Sequence, residues 1–418
     1  LIRLNRLLIK DAYSQEIQDS DQILVFVDDM NISAFNEPDT TGSASLENLR
    51  GGALINQSGF AGRFDLTLGA VTGDLSVTSD VQLEINTFGK AVSQTGAFGT
   101  IEVDLILAPL YRLTVSNLKI NLGDNVSIEG DFSLNDVVID GTPTNIIVGN
   151  NVNIFVGTGF DSEAENQIAN ATGLYLMDGT AFFLADDDGS DGTEGKTGYI
   201  TGRVRVIGVD GVVADSTMTL RINESASEYD VNFELDGEVV NLVFEAGETD
   251  GFYQFEALDT TLAIGDFSVS GDYQFTYSNA DDTFKFLADG MQAQLGVAGT
   301  GVSLTNIGAA ALIYTEDDVA NSISKGTFAF EGEGSAAIQG VNDLSLSGSL
   351  ALRVNTTGLT VDKTFILSNG STRTLSFVEG EENFAAAVGN LSIVVGDTFS
   401  LSGQFFFELS DDAELGQV

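Results

Sequence analysis

The 418-residue chain contains no His, no Cys and no Trp. Without imidazole or thiol it builds no Ser-His-Asp triad, no cysteine nucleophile, no Cys/His zinc site, no disulfide and no His- or Cys-ligated haem. Any enzyme chemistry would rest on carboxylate, Ser/Thr, Lys or Tyr groups, so an enzyme is not expected. Basic residues are scarce: 17 Lys plus Arg stand against 62 Asp plus Glu, a formal net charge of −45. That charge repels phosphate and anionic headgroups, so nucleic acid is not an expected partner, whereas divalent cations, salt and basic surfaces are. Only Pro38, Pro109 and Pro143 supply proline, and no Pro/Gly/Ser-rich linker divides the chain. No run of 18 apolar residues is present, so no transmembrane segment is expected. Arg3, Arg6 and Lys10 interrupt the first ten residues, unlike a signal-peptide core.

Hydrophobic residues make up 43% of the chain, enough to build a core and to disfavour global disorder. The length allows about two to four domains of ~100 to 200 residues. Aligning the chain with itself shows a repeat. A Leu-x-(Ile/Val)-Asn anchor recurs at Leu83–Asn86, Leu220–Asn223 and Leu352–Asn355, at offsets of 137 and 132. A Gly-Asp pair recurs at Gly123-Asp124, Gly265-Asp266 and Gly396-Asp397, followed each time by a strand-like run (VSIEGDFSL, FSVSGDYQF, FSLSGQFFF). A weaker match joins Thr172–Leu176 to Thr300–Leu304 at an offset of 128. The order is kept, which predicts tandem units of roughly 130 to 140 residues: 1–140 with an atypical start, 141–280, 281–410, and the opening of a fourth copy at 411–418. The absent initial Met and the pattern still running at residue 418 read as a segment of a longer polypeptide.

Within the anchors the hydrophobic period is two, the period of a strand. Leu344, Leu346, Leu350, Leu352 and Val354 share one face, as do Leu75, Val77, Val81, Leu83 and Ile85, and Ala214, Met218, Leu220 and Ile222. Each is a strand of about 11 residues, ~36 Å long. A small residue sits at mid-face (Ser79, Ser216, Gly348), and Gly130, Gly271 and Gly403 occupy the matching place in the second anchor, which marks a bend, a bulge or a close backbone approach. Turns rich in Asn, Asp, Gly and Ser favour hairpins. The fold class expected is all-β: tandem repeats of long curved strands forming an elongated solenoid- or groove-like sheet, or abutting sandwiches. Leu4, Leu7 and Leu8 are compatible with one short helix within residues 1–16.

The acidic run 186–195 (DDDGSDGTEG) offers hard oxygen ligands around a glycine turn, and calcium takes six to eight of these. Asp186, Asp188, Asp191 and Glu194 are the candidate ligands, with Glu316, Asp317 and Asp318 at the equivalent place in the third copy; the first copy carries Asn56-Gln57-Ser58 there. A solvated acidic loop is the plain alternative. The recurring Asp124, Asp266 and Asp397 and the recurring Asn86, Asn223 and Asn355 read as turn residues that bond their own backbone. Eight Asn-x-Ser/Thr sequons, Asn125 and Asn355 among them, are near chance for such a composition.

The stretch GTFAFEGEGSAAIQGVNDLSLSGSLALRVNTTG (326–358) resembles the recurring unit of giant, acidic, β-strand-repeat proteins of bacteria. The resemblance implies an exported, extracellular or cell-surface protein, adhesin- or filament-like, whose relatives often carry calcium-binding repeats elsewhere. The glycine-rich nonapeptide of such calcium repeats is missing here. The leading expectation is a structural component of an extracellular or cell-surface fibre, metal- or salt-stabilised, whose partners are further copies of itself and divalent cations such as Ca2+. The stalk of a large adhesin and a hydrophobic β-groove for lipid transfer are the alternatives, the last suggested by long one-sided strands with a central glycine.

Overall fold

A computed structural model describes the chain except residues 1–7, 12–22, 36–41, 73–74, 99–100, 108–109, 124, 140–141, 162–166, 186–195, 236–237, 280–281, 297–299, 318–322, 342, 397–398 and 411–418. The described residues are all-β and contain no helix. The chain packs as two compact units, Leu1–Gly202 with Val231–Leu242, and Arg203–Asp230 with Val243–Val418.

The chain opens with β1 (Leu8–Asp11), β2 (Ile23–Phe35), β3 (Gly42–Asn56), β4 (Gly59–Thr72) and β5 (Leu75–Asn86). A hairpin of β6 (Val92–Phe98) and β7 (Ile101–Leu107) follows, then β8 (Leu110–Leu122), β9 (Val126–Ile139), β10 (Thr142–Thr158) and β11 (Thr172–Ala185). β12 (Lys196–Ile207) runs across the division between the units. Then come β13 (Val212–Asn223), the hairpin β14 (Tyr229–Leu235) and β15 (Glu238–Phe244), and β16 (Phe252–Ile264) to β17 (Phe267–Ser278). β18 (Thr283–Leu295), β19 (Gly301–Tyr314), β20 (Phe328–Val341) and β21 (Leu344–Asn355) precede the hairpin β22 (Val361–Ile366) and β23 (Thr372–Phe377). β24 (Phe384–Val395) and β25 (Phe399–Ser410) complete the order.

In the first unit the sheet runs β1-β2-β3-β4-β5-β8-β9-β10-β11, antiparallel at every step. In the second it runs β13-β16-β17-β18-β19-β20-β21-β24-β25, again antiparallel throughout. Each hairpin is a sideways excursion, because the strands that flank it (β5 with β8, β13 with β16, β21 with β24) pair directly with each other. Six long strands separate one hairpin from the next. The helix expected within residues 1–16 is not found where the structure describes that segment. Leu8–Asp11 is a strand paired with Ile23–Phe26, its ladder bonds replacing the intra-helical ones.

The anchor strands end where the sequence places them: β5, β13 and β21 are each 12 residues long and close on Asn86, Asn223 and Asn355. Their alternating pattern needs cover on one face, yet a buried cluster of the second unit lies on the other. Val361, Phe365, Leu367, Leu375 and Phe377 of the hairpin β22/β23 bury Leu287, Ala310, Leu312 and Ala329 of β18–β20. Each fully buried Leu or Phe of this set contributes about 1.5–3 kcal/mol. In the first unit β7 lies against β2–β5 in the same sense.

A row of left-handed residues crosses the long strands near their middles: Asp29 and Asn151 with Gly290, Asn48 with Asp178 and Asn306, and Asn117 with Asp259. Each lies at a register shift with a neighbouring strand. Asn and Asp tolerate this conformation, and the freed N–H finds a side chain on the next strand. Asp131 Oδ1 accepts from Asn117 N at 2.8 Å and Asp272 Oδ1 from Asp259 N at 2.7 Å; Asn31 and Asn153 serve Asn48 and Asp178 at 2.9 and 3.1 Å. Of the bend, bulge or close approach expected at the second-anchor glycines, a bulge is present at Gly130 and Gly271, at φ +154° and +133°, whereas Gly403 pairs with Leu391 in unbroken register. A Cβ on Gly271 would stand 2.6 Å from Met291 Cα. Gly271→Ala is therefore expected to destabilise the second unit by about 3 kcal/mol, read from its denaturant midpoint. An unchanged midpoint would refute the bulge geometry.

Candidate functional site

Three features offer chemistry: the corners after the anchor strands, the acidic turns, and one apolar face of the second unit. The corners are the best built. Asn86, Asn223 and Asn355 are 3%, 0% and 1% exposed. Each Oδ1 accepts the N–H two residues on (Phe88, Ser225, Thr357 at 3.0, 3.1 and 3.0 Å), and each Nδ2 donates to the carbonyl four residues on (Lys90, Ser227, Leu359 at 2.9, 3.0 and 2.8 Å). In the second and third copies Nδ2 also reaches Glu248 O at 2.7 Å and Glu381 O at 2.8 Å. The expected turn role is thus what these asparagines perform. Two of the sequons, at Asn223 and Asn355, are consumed by it, since a buried amide offers nothing to a glycosyl transferase.

Two residues before these asparagines stand Arg221 and Arg353. Arg221 binds Glu248 at 3.0 and 2.7 Å and Val243 O at 2.7 Å, and lies over Phe244 and Phe252 at 4.8 and 5.5 Å. Arg353 repeats this with Glu381 at 3.0 and 3.3 Å, Ser376 O at 2.6 Å, Phe377 at 4.8 Å and Phe384 at 5.6 Å. The two glutamates follow a shared Phe-x-x-Gly-Glu run, Phe244–Glu248 and Phe377–Glu381, a signal the sequence reading passed over. Desolvation raises the Glu381 carboxyl, but the Arg353 hydrogen bond, the Val378 N–H and the Arg353 charge outweigh it and leave its pKa below the usual carboxylate value. In the first copy the polarity is reversed: Glu84 holds the place of the arginine and meets Arg63 at 3.8 Å and Arg112 at 3.5 Å from the strands on either side.

Another buried carboxylate, Glu256 (3% exposed), fastens the tip of the hairpin β22/β23. Its oxygens accept from Ser368 N at 2.9 Å, Ser368 Oγ and Gln274 Nε2 at 3.1 Å, while Asn369 Nδ2 donates to Asp272 at 2.8 Å. Gly308 leaves room beneath the Arg373 guanidinium, which meets Asp289 and Glu333 at 3.3 Å each.

The acidic turns are less built. Asp186, Asp188, Asp191, Glu194 and Asp318 lie outside the described residues. In the third copy Glu316 pairs with Lys325 Nζ at 2.9 Å and Asp317 Oδ1 accepts from Lys325 N at 2.7 Å. The hydrogen bond and charge of Glu316 raise the pKa of Lys325. Among the described residues no group of three or more acidic side chains is gathered for a metal ion. Lys325 escaped notice because it lies nine residues from Glu316, on the far side of the turn.

The face of the second unit opposite the hairpin β22/β23 is apolar and open. Leu344, Leu346, Leu350 and Leu352 stand beside Val395, Ile393, Gly389 and Ala387 of β24, which stand beside Phe399, Leu401, Phe405 and Phe407 of β25. Leu350 is 48% exposed and Phe405 49%. The expected shared face of Leu344–Val354 is real, but much of it faces solvent rather than a core. Between β19 and β25 it sinks into a trough of about 530 Å³, with Gly332, Gly334 and Gly348 in its floor. The ring of Phe330 leans over Gly332 and that of Phe405 over Gly389, so close that a Cβ there would meet the rings at 2.6 and 2.4 Å. No helix of the described residues is long and apolar enough to cross a membrane. No family model, curated protein or solved structure matches this chain.

Proposed function

We propose that the chain is a non-catalytic structural segment of an extracellular or cell-surface fibre assembled from tandem β repeats. The observation that carries this reading is the corner repeated with the same bonds at Asn86, Asn223 and Asn355, with six long strands between one hairpin and the next. Repetition of a buried structural device, with no matching repetition of an exposed reactive group among the described residues, is the economy of a scaffold, in which each repeat stabilises its neighbours. Sheet edges favour association with further copies, and the charge of −45 makes that association dependent on salt or divalent cations such as Ca2+ at the acidic turns. The stalk of an adhesin is the same scaffold with a separate binding tip.

Electron microscopy of the purified chain, with 5 mM calcium and with chelator, tests the proposal. Regular fibres or uniform rods that lengthen with calcium are expected. Compact, non-associating particles under both conditions would overturn the assembly role, and calcium-indifferent fibres would remove the metal from the account.

A further inference from the structure

We propose that the glycine-floored trough of the second unit binds one neutral, extended hydrocarbon chain. A fibre scaffold has no need of such a feature; the composition and charge of its lining set the class of occupant. Leu346, Leu350 and Leu352 line the trough together with Leu304, Ile307 and Phe405, and Gly334 and Gly348 bring no side chain into it. The rings of Phe330 and Phe405 lie over Gly332 and Gly389 and add aromatic surface to this apolar lining. About 530 Å³ lies within the range of built ligand sites, whose lining is mostly hydrophobic with few polar groups.

Charge narrows the choice further. Glu333 is the one charged residue of the lining, and neither Lys nor Arg stands among the lining residues to pair with an acid headgroup. In a chain of net charge −45 a carboxylate or phosphate beside the trough would be repelled, so the head of the occupant is uncharged. Two arguments disfavour a second copy of the chain as occupant. A trough is not complementary to itself, so an isologous contact would enclose a void between two concave faces. Each copy would also bring the same excess of negative charge.

The test is titration of the full chain with the neutral fluorophore N-phenyl-1-naphthylamine, followed by competition with 1-dodecanol and with dodecanoate, and sedimentation of the same samples. One saturable site per chain is expected, displaced by dodecanol and at least tenfold less well by dodecanoate, in monomeric protein. Leu350→Asp is expected to weaken the probe at least tenfold. Gly334→Leu, whose first added carbon has 3.3 Å to Ile307, fills the trough without a charge and is expected to do the same. Val71→Asp, at an exposed apolar position of the first unit, is expected to leave binding unchanged. Equal loss in Val71→Asp, absence of saturable binding, equal displacement by dodecanoate, or a probe site that appears only in a dimeric fraction would each overturn the proposal.

Discussion

Asn355→Asp is expected to destabilise the second unit by about 3–5 kcal/mol at neutral pH, the cost of an uncompensated buried charge. The substitution is nearly isosteric, so packing is not its mechanism. It replaces the Nδ2 donor, which bonds Leu359 O and Glu381 O at 2.8 Å each, with an oxygen facing two carbonyl oxygens in a site 1% exposed. The new carboxyl is most easily accommodated protonated, so its pKa in the folded state is raised above the unfolded value. A raised carboxyl pKa means the folded variant binds protons more readily than the unfolded one, so its deficit shrinks as pH falls toward 4. Asn355→Ala removes the same bonds without adding a charge and is expected to show a smaller loss, about 2–3 kcal/mol, without that recovery. Hydrogen exchange of the β21 and β24 amides, together with denaturant midpoints from pH 4 to 7.5, separates the two. Equal, pH-independent losses would show that the amide serves only as filler.

The second large effect concerns the Arg353–Glu381 pair. Arg353→Gln and Glu381→Gln are each expected to cost about 1–3 kcal/mol, with a coupling of about 1–2 kcal/mol in the double-mutant cycle. The estimate is lower than for a fully buried pair because the two side chains are partly solvated, with 32% and 21% of their surface exposed. The pH dependence has a definite sign. Because the folded pKa of Glu381 is depressed, its contribution is fully present above the ordinary glutamate value of about 4.3 and is lost as pH falls through the depressed one. The advantage of the native chain over Glu381→Gln should therefore be flat from pH 5 to 8 and vanish in strong acid. A flat difference down to pH 2 would place the stabilisation in the stacking on Phe377 and Phe384 instead.

How far the sequence could be read depended on how local each feature is. Strand ends at Asn86, Asn223 and Asn355, and the turns opened by Gly123, Gly265 and Gly396 at φ of +54° to +58°, were legible because one or two residues specify them. The bulge row was half legible. Gly130 and Gly271 stood out, whereas Asn117, Asp178 and Asp259 looked like ordinary polar positions of an alternating strand, since only the backbone angle distinguishes them. The Arg–Glu clasps were illegible as contacts because 27 and 28 residues and an entire hairpin separate the partners. Whether the apolar face is covered was not legible for a related reason: period-two alternation reports that one face is apolar, not that anything covers it. Glu316 and Asp317 were read as metal ligands from local density of charge, and it took the fold to bring Lys325 to them.

The pairing order of the strands also has a mechanical meaning. Within each unit every long strand is bonded only to the long strands next to it along the chain, so tension applied through the backbone loads the ladder at an edge, one hydrogen bond after another, rather than shearing many at once. Each strand of 12 to 14 residues that peels away releases roughly 40–50 Å of contour. The corner clasps then act as stops: a strand can be drawn off only as far as the next Asn–Arg–Glu knot, where the load meets a side-chain network as well as a ladder. Under load such a pairing order would give way in instalments, each freed strand re-forming on its neighbour's exposed edge.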